Sequence, residues 1–457
     1  MDTTCANINS NDGEGFKDVH VQPDVAAAIM GGNVQLIHYI QQCGGAFISG
    51  ARQKRDRSQL SGSGKLLDLS NNDSEDDTIA LNDENVDGHV DENSIDNDRP
   101  KFTFVELFAG IGGFRFGLEA IGGQCVLASE RDEVACAIYR RQFGPEDLNE
   151  GDMLDLVSED YPSNGFDLLT AGFPCQPFSV RGEQKGLDDD EHRGQMYQEL
   201  VRTLMEERPK YFLFENVVGL LKMEGGEASH RLGKHVFKPG KVMNVILDAF
   251  RSCGYKVQWH VVNSKHFIPQ HRERVYFFGS LLELDCPDME WENIYPRVDT
   301  TADPIKRKAL REYLEKDYAT SADVAQSELS AQQWEMIKQK CNGDATFFLR
   351  LKVEEAYAPT LISSYRTPAS ISTRFVMEEA DGTLRHGNPL LPRFLTPREF
   401  RRIMGFPSSF NVSPITKDKK SGHIYQVMGN AVAPPVIEAI GREILLLMEQ
   451  VEANKKQ

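Results

Sequence analysis

Nothing in this 457-residue chain approaches the run of about 18 uncharged apolar residues that a bilayer-crossing helix needs. The first residues, MDTTCANINSNDGEGF, lack a basic stretch followed by an apolar one, so neither a membrane partner nor a secretory signal is expected. Cysteine is sparse: eight residues with no CxxC pair exclude a zinc ribbon and a disulfide framework. No metal is therefore expected, and the natural setting is reducing and intracellular. Positive charge is also short, with 51 Lys and Arg against 69 Asp and Glu, a net −18. Over the whole chain that deficit argues against nucleic acid, because phosphate binding needs Lys and Arg.

What is present qualifies that exclusion. Residues 66–98 hold twelve acidic side chains and no Lys or Arg, so −12 of the −18 sits there and −6 remains for residues 99–457. The acidic stretch is rich in Asn and Ser and has no amphipathic period. It reads as a solvated, disordered linker, a spacer in preference to a nucleic-acid mimic. Before it, residues 25–43 carry a helical period closed by a Gly pair, although a single ankyrin-like repeat is not stable alone. The basic run RQKRDR at 52–57 fits a nuclear address or, preferably, a solvated loop. The length allows two to three domains at about 100–200 residues each, and 40% hydrophobic residues make most of the chain globular.

The folded pattern begins at Lys101. FTFVELF at 102–108 is a strand ending in the glycine turn AGIGG at 109–113. A helix over 114–121 and a strand over 124–129 follow, and Glu130 closes that strand. Strand, glycine turn, helix and strand open a doubly wound nucleotide-binding sheet. Glu130 lies twenty residues after Gly110, where a carboxylate takes both ribose hydroxyls of an adenosine. After Gly110 and Gly112 the third glycine of a dinucleotide fingerprint is replaced by Arg115. A GxG turn alone is weak, since any α/β protein can use one. The departure favours adenosine without a pyrophosphate, as in S-adenosylmethionine, over a nicotinamide dinucleotide. Asp152, after Gly151, is placed to reach the exocyclic amine of adenine.

A strand over 166–172 ends in FPCQPFS at 173–179. Most cysteines are inert core thiols. Cys175, however, stands at the carboxyl end of a sheet strand, where ligands bind in open α/β folds, and Pro174 and Pro177 stiffen its surroundings. The polar loop at 180–195, with Arg181, Lys185 and Arg193, has the composition of a lid. An amphipathic helix over 196–207 is stopped by Pro209, and a strand over 211–214 delivers Glu215, Asn216 and Val217. A carboxylate directly after an apolar strand needs a partner or a task, and otherwise caps a turn. Strands over 255–262 and 275–279 flank QHRER at 270–274. In an extended chain Arg272 and Arg274 point the same way, which suits a phosphate, a carboxylate, a base oxygen or a surface salt-bridge cluster.

In this order the blocks resemble the cytosine-5 DNA methyltransferases. FAGIGG (108–113) is similar to that family's cofactor turn, GFPCQPFS (172–179) to its nucleophile motif, and ENV (215–217) to its acid motif. QHRER is similar to the paired-arginine motif, LTPREFRRIMGFP (395–407) to the motif bracing the recognition region, and QVMGNAVAP (426–434) to the last cofactor motif. The resemblance covers roughly residues 101–445. It implies an α/β fold class: a Rossmann-like S-adenosylmethionine methyltransferase domain, a smaller target-recognition domain, and the disordered N-terminal extension before them.

The implied boundaries are 1–100 for the extension, 101–281 for the catalytic domain, 282–421 for the recognition domain and 422–457 for a segment returning to the catalytic domain. That return requires the helix at 436–449 to fold back beside the first strand. The resemblance assigns Cys175, Glu215, Arg272 and Arg274 to catalysis. It assigns Phe108, Gly110, Gly112, Glu130, Asp152, Pro174, Asn430 and Val432 to the cofactor, S-adenosyl-L-methionine. Double-stranded DNA is the implied partner, through a flipped-out cytosine, and a monomer is expected. The rivals are a tRNA-methylating branch with the same catalytic motifs and a catalytically silent DNA-binding regulator. After its nucleophile the tRNA branch continues Thr-Arg-Ile-Gly where this chain has Ser179–Val180–Arg181–Gly182, which favours DNA. The acidic extension leans toward a nucleus, with a bacterial cytoplasm as the alternative.

Overall fold

The computed structural model describes residues 99–174, 196–231, 234–296, 308–316, 322–340, 350–366, 373–377, 391–413 and 422–456. The expectations for 25–43, 52–57 and 66–98, for Cys175 and for the lid at 180–195 lie outside the described residues. Residues 100–457 fall within one compact unit.

Five strands run parallel: β1 (Phe102–Leu107), β2 (Gly123–Glu130), β3 (Leu148–Glu150), β4 (Leu168–Gly172) and β5 (Tyr211–Val217). After the hairpin β6 (Glu227–Arg231) and β7 (Lys234–Lys238), β8 (Tyr255–Asn263) and β9 (Glu273–Leu281) complete the sheet in antiparallel sense. The order is β3-β2-β1-β4-β5-β9-β8, so the winding reverses between β1 and β4. The central strands are largely apolar because both faces are covered. On one face the C-terminal helix contributes Val436, Ile437, Ile440 and Ile444 to a core with Phe104, Leu168 and Phe278. On the other, Phe212 stacks on Phe214 at 4.4 Å, and Phe250 meets both rings.

Several elements extend beyond their sequence-based bounds. The strand expected at 211–214 continues to Val217, so Glu215 and Asn216 are strand residues opposite Tyr276 and Val275. The reason is pairing: β9 supplies backbone partners that no local propensity reports. Helices α2 (Glu133–Phe143) and α4 (Lys241–Ser252), unrecognised by the periodicity reading, complete the crossovers. Here the Asp132 carboxylate caps α2 by accepting from the Val134 and Ala135 amides.

The returning helix, α9 (Pro434–Lys455), packs on α1 (Gly113–Glu119), the helix after the first strand, and shares a core with Phe104 of that strand. The approach is close enough to demand glycine. A Cβ at Gly117 would lie 2.7 Å from Ile437 Cβ and 2.8 Å from the Pro434 carbonyl oxygen. Arg115, where a dinucleotide fold has its third glycine, is buried. It bridges Glu119 and Asp147, with its guanidinium 4.5 Å from the Phe143 ring centre. The position is therefore filled by a brace between α1, α2 and the loop before β3.

One carboxyl group lies within β1 itself. Glu106 is fully buried and accepts a hydrogen bond from the Tyr139 hydroxyl at 3.2 Å. Burial pushes its carboxyl up to about 8, against the pull of Arg115. Two tests follow from this packing. Gly117→Val should lower stability by about 1–3 kcal/mol in urea unfolding, because the α9 backbone cannot give way; an unchanged midpoint would mean α9 is not seated on α1. Glu106 has a folded pKa above the ordinary 4.5, so the stability it contributes is complete below that value and lost as pH rises through about 8. Relative to the non-titrating Glu106→Gln variant, the wild type should lose stability steadily over that window, and a pH-independent gap would contradict the burial argument.

Candidate active site

The carboxyl ends of the parallel strands meet at the β1/β4 reversal, where open α/β sheets bind their ligands. The turn after β1 is tight: Phe108, Gly110 and Gly112 all have positive φ, at 53°, 57° and 82°. For an aromatic residue this is strained backbone, held by the Ala109 amide donating to the Ser129 carbonyl at 3.0 Å. A Cβ at Gly110 would meet only the Phe108 carbonyl, at 4.0 Å, so the turn leaves open space there. At Gly112 the same atom would collide with the Phe143 ring at 2.3 Å.

Glu130 ties this turn to β2. Its Oε2 accepts from the Gly110 amide at 2.7 Å, and its Oε1 accepts from the Arg131 and Asp132 amides, each at 2.8 Å. Asp152 lies beside it, accepting from the Leu154 amide and pairing with Arg131 at 2.9 Å. Two carboxylates at adjacent strand ends, next to an open glycine turn, fit the vicinal hydroxyls and the exocyclic amine of an adenosine. Val432, on the link between α8 (His423–Asn430) and α9, packs on the start of α1: a Cβ at Gly113 would sit 2.7 Å from Val432 Cγ2. Asn430, the last residue of α8, is exposed. Thus the far end of the chain reaches the glycine turn.

A second group lies one strand away. Gly172, which ends β4, is paired in register with Glu215, and a Cβ there would be 3.6 Å from Glu215 Oε2. Pro174, partly buried, follows two residues later, and the Asn216 side-chain amide donates to the Phe173 carbonyl at 3.2 Å. Glu215 is 6% exposed, and its Oε1 lies 2.9 Å from Arg274 Nε. Burial raises its pKa, while the Arg274 and then the Arg272 charges pull it back. The motif that carries Cys175 thus leaves β4 beside this carboxyl group.

The two arginines do not act as a pair facing one ligand. β9 begins at Glu273, so Arg272 lies before the regular strand and turns inward. It is 1% exposed, and its terminal nitrogens donate to the Leu361, Gly429 and Ala431 carbonyls at 3.0, 2.9 and 2.7 Å. The geometry makes it a brace between the β8–β9 turn and the C-terminal segments. Only Arg274 of the two touches Glu215 in an ion pair. A further pair escaped the sequence reading: Arg393 and Glu399, both fully buried, make two hydrogen bonds at 2.7 and 2.9 Å. Glu399 also completes the capping box of α7 (Pro397–Met404) with Thr396. The Thr-x-x-Glu spacing was a legible signal for the cap, but not for the arginine six residues before Glu399.

An open sheet with this reversal, a strained glycine turn, two carboxylates at neighbouring strand ends and a buried acid–arginine pair defines an α/β methyltransferase fold. The family model for C-5 cytosine-specific DNA methylase matches residues 102–446, and the chain belongs to that family. It is 32% identical to the type II methyltransferase M.HpaII of Haemophilus parainfluenzae, over 76% of this chain and 90% of that enzyme. It is 31% identical to M.NlaX of Neisseria lactamica, over 78% and 99% of the respective chains. Among solved structures, the S. pombe Dnmt2 methyltransferase shares the fold with a TM-score of 0.56 at 22% identity, covering 76% of this chain and 99% of that one.

Replacing Arg272 by Met should cost about 3 kcal/mol or more in urea unfolding, since three buried carbonyls lose their donor. A near-neutral change would show that the guanidinium is not the brace described.

Proposed function

We propose that the protein transfers a methyl group from S-adenosyl-L-methionine to carbon 5 of a cytosine flipped out of double-stranded DNA, through a covalent adduct at Cys175. That it is a DNA cytosine methyltransferase follows from its family and from type II relatives at about 30% identity over most of the chain. The observation that carries the finer reading is the buried Glu215 carboxyl at the end of β5, paired with Arg274, beside the strand that leads to Cys175.

Carbon 5 of cytosine is a poor nucleophile, and the site is read as the remedy. The Cys175 thiolate adds to carbon 6, which makes carbon 5 an enamine carbon able to attack an electrophilic methyl group. Glu215, whose affinity for a proton is raised by burial, donates one to ring nitrogen 3 as negative charge develops there. Arg274 fixes Glu215 and holds the base oxygen. Bound at Glu130 and Asp152, with Phe108, Gly110, Gly112, Pro174, Asn430 and Val432 around it, the cofactor supplies the methyl group. Loss of the carbon 5 proton, with water as the base, returns the electron pair to the ring and expels the Cys175 sulfur. Extrusion of the base costs a few kcal/mol of unstacking. Arg272 takes no part in contacting the base in this scheme.

Residues 282–421 are assigned to target recognition within the compact unit, with the protein acting as a monomer. The type II DNA methyltransferases among the relatives support DNA over tRNA as the substrate. Their bacterial sources favour the bacterial cytoplasm of the two locations weighed, and the nuclear reading keeps no support beyond the acidic extension.

Bisulfite sequencing of unmethylated DNA treated with the purified protein and cofactor should reveal protected cytosines in a fixed sequence context. Cys175→Ala should abolish transfer, and Glu215→Gln should lower kcat by about 10²–10⁴-fold. Full transfer by Cys175→Ala would overturn the covalent route. Glu130→Ala should raise the Kd for S-adenosylmethionine at least about tenfold by calorimetry, the weight of one charge-assisted hydrogen bond.

A further inference from the structure

Glu106 is a buried titratable group that the proposed reaction does not use. It lies in β1, two residues before the strained turn at Phe108, and is fully buried. Its Oε2 accepts from the Tyr139 hydroxyl at 3.2 Å, and its Oε1 is buried without a hydrogen-bond partner among the described residues. A carboxyl group in such a place is costly unless it has a partner or a task.

The groups around it do not neutralise it. Burial holds the protons of Tyr139 in α2 and Cys125 in β2, whose hydroxyl and thiol lie 3.7 Å apart, so both stay neutral near pH 7. The cation is Arg115 in α1, which meets Glu106 through the Tyr139 hydroxyl, to which it donates at 3.3 Å. Arg115 is already paired with Glu119 at 2.7 Å and with Asp147 at 3.2 Å. One cation between two carboxylates leaves no positive charge over for a third. Burial pushes Glu106 up to about 8, against the pull of Arg115, so its charge comes and goes close to neutral pH.

The strand order sets this charge under the reacting part of the cofactor. Glu130 and Asp152, read as the adenosine contacts, lie at the ends of β2 and β3, and Glu215, read as the contact to the base, lies in β5. β1 and β4 stand between them, and β2 to β5 is three strand spacings, about 14 Å. A methyl donor that spans the two sites carries its sulfur over the ends of β1 and β4. Glu106 lies about 7 Å below Phe108, at two residues of strand rise. Methyl transfer turns that sulfur from a positively charged sulfonium into a neutral thioether and leaves the rest of the cofactor unchanged.

We propose that Glu106 is a specificity-determining residue whose buried carboxylate favours the cationic methyl donor over the neutral product that transfer leaves behind. The proposal rests on the functional reading above, from which it takes the cofactor and its placement between Glu130 and Glu215. Glu130 and Asp152 hold the adenosine, which donor and product share, whereas Glu106 acts on the one charge that differs. Opposite unit charges about 10 Å apart in a partly shielded interior change an equilibrium at least about tenfold.

The test uses the full chain and calorimetric Kd values for S-adenosylmethionine and S-adenosylhomocysteine between about pH 6 and 9. The amino and carboxylate groups are common to both ligands, so their titration cancels in the ratio of product Kd to donor Kd. In the wild type that ratio should rise about tenfold with pH and level off past about 8, as Glu106 becomes ionised. Glu106→Gln, similar in size and uncharged, should hold the ratio at its low-pH value throughout. Tyr139→Phe removes a hydrogen bond to the carboxylate and should move the rise to higher pH. A pH-independent ratio in the wild type, an unmoved rise in Tyr139→Phe, or the wild-type rise in Glu106→Gln overturns this role of Glu106 alone. A wild type that binds neither ligand overturns the functional reading and the role of Glu106 together.

Discussion

The guanidinium of Arg272 joins parts of the chain that are almost 160 residues apart in sequence. Its terminal nitrogens are held by three carbonyls, from Leu361 and from Gly429 and Ala431 at the end of α8. An isolated buried cation would cost many kcal/mol, so the arrangement persists only because those carbonyls and the nearby Glu215 charge compensate it. In return it fixes two things at once. Arg274, two residues on, is held opposite Val217, where it reaches Glu215. The link from α8 to α9 is held where Val432 can pack on Gly113 at the glycine turn. Glu215 and the glycine turn thus share one buried support.

Two further constraints work in the same way. Glycine at 113 and 117 lets the last helix lie on the first one, closing the sheet face with residues from the opposite end of the chain. The fully buried Arg393–Glu399 pair secures α7 and, through the Glu315 amide on Glu399, the segment around Glu315. Buried pairs of this type are costly to form and more costly to break, which favours one geometry over its neighbours. Each ties a region near the site to a distant stretch of chain.

Much of this was legible from residues alone. The glycine turn, Glu130 twenty residues after Gly110 and the Glu215 that follows an apolar run are local signals, because strand, turn and helix chemistry acts over a few positions. The unequal distribution of acid was also readable, and it reduced a net −18 to −6 over residues 99–457. Other features left no local mark. The extension of β5 to Val217 depends on pairing with β9, and the inward turn of Arg272 depends on carbonyls from 361 to 431. Two arginines at a two-residue spacing read as one cluster only when both lie in a strand, and β9 begins between them.

By itself the sequence determined the fold class, the strand and helix order around the turn, and the residue types able to perform thiolate, acid and carboxylate chemistry. Those follow from side-chain identity and short-range backbone preference. Tertiary structure alone decided that Arg115 is a brace where a third glycine was absent, and that Arg272 supports the site while Arg274 meets its acid. It also decided that the β6–β7 hairpin stands on glycines packed against the backbone of Leu221 and Met223. The reason is burial: whether a charge faces a ligand or a carbonyl depends on what the distant chain places around it, and no short window of sequence carries that information.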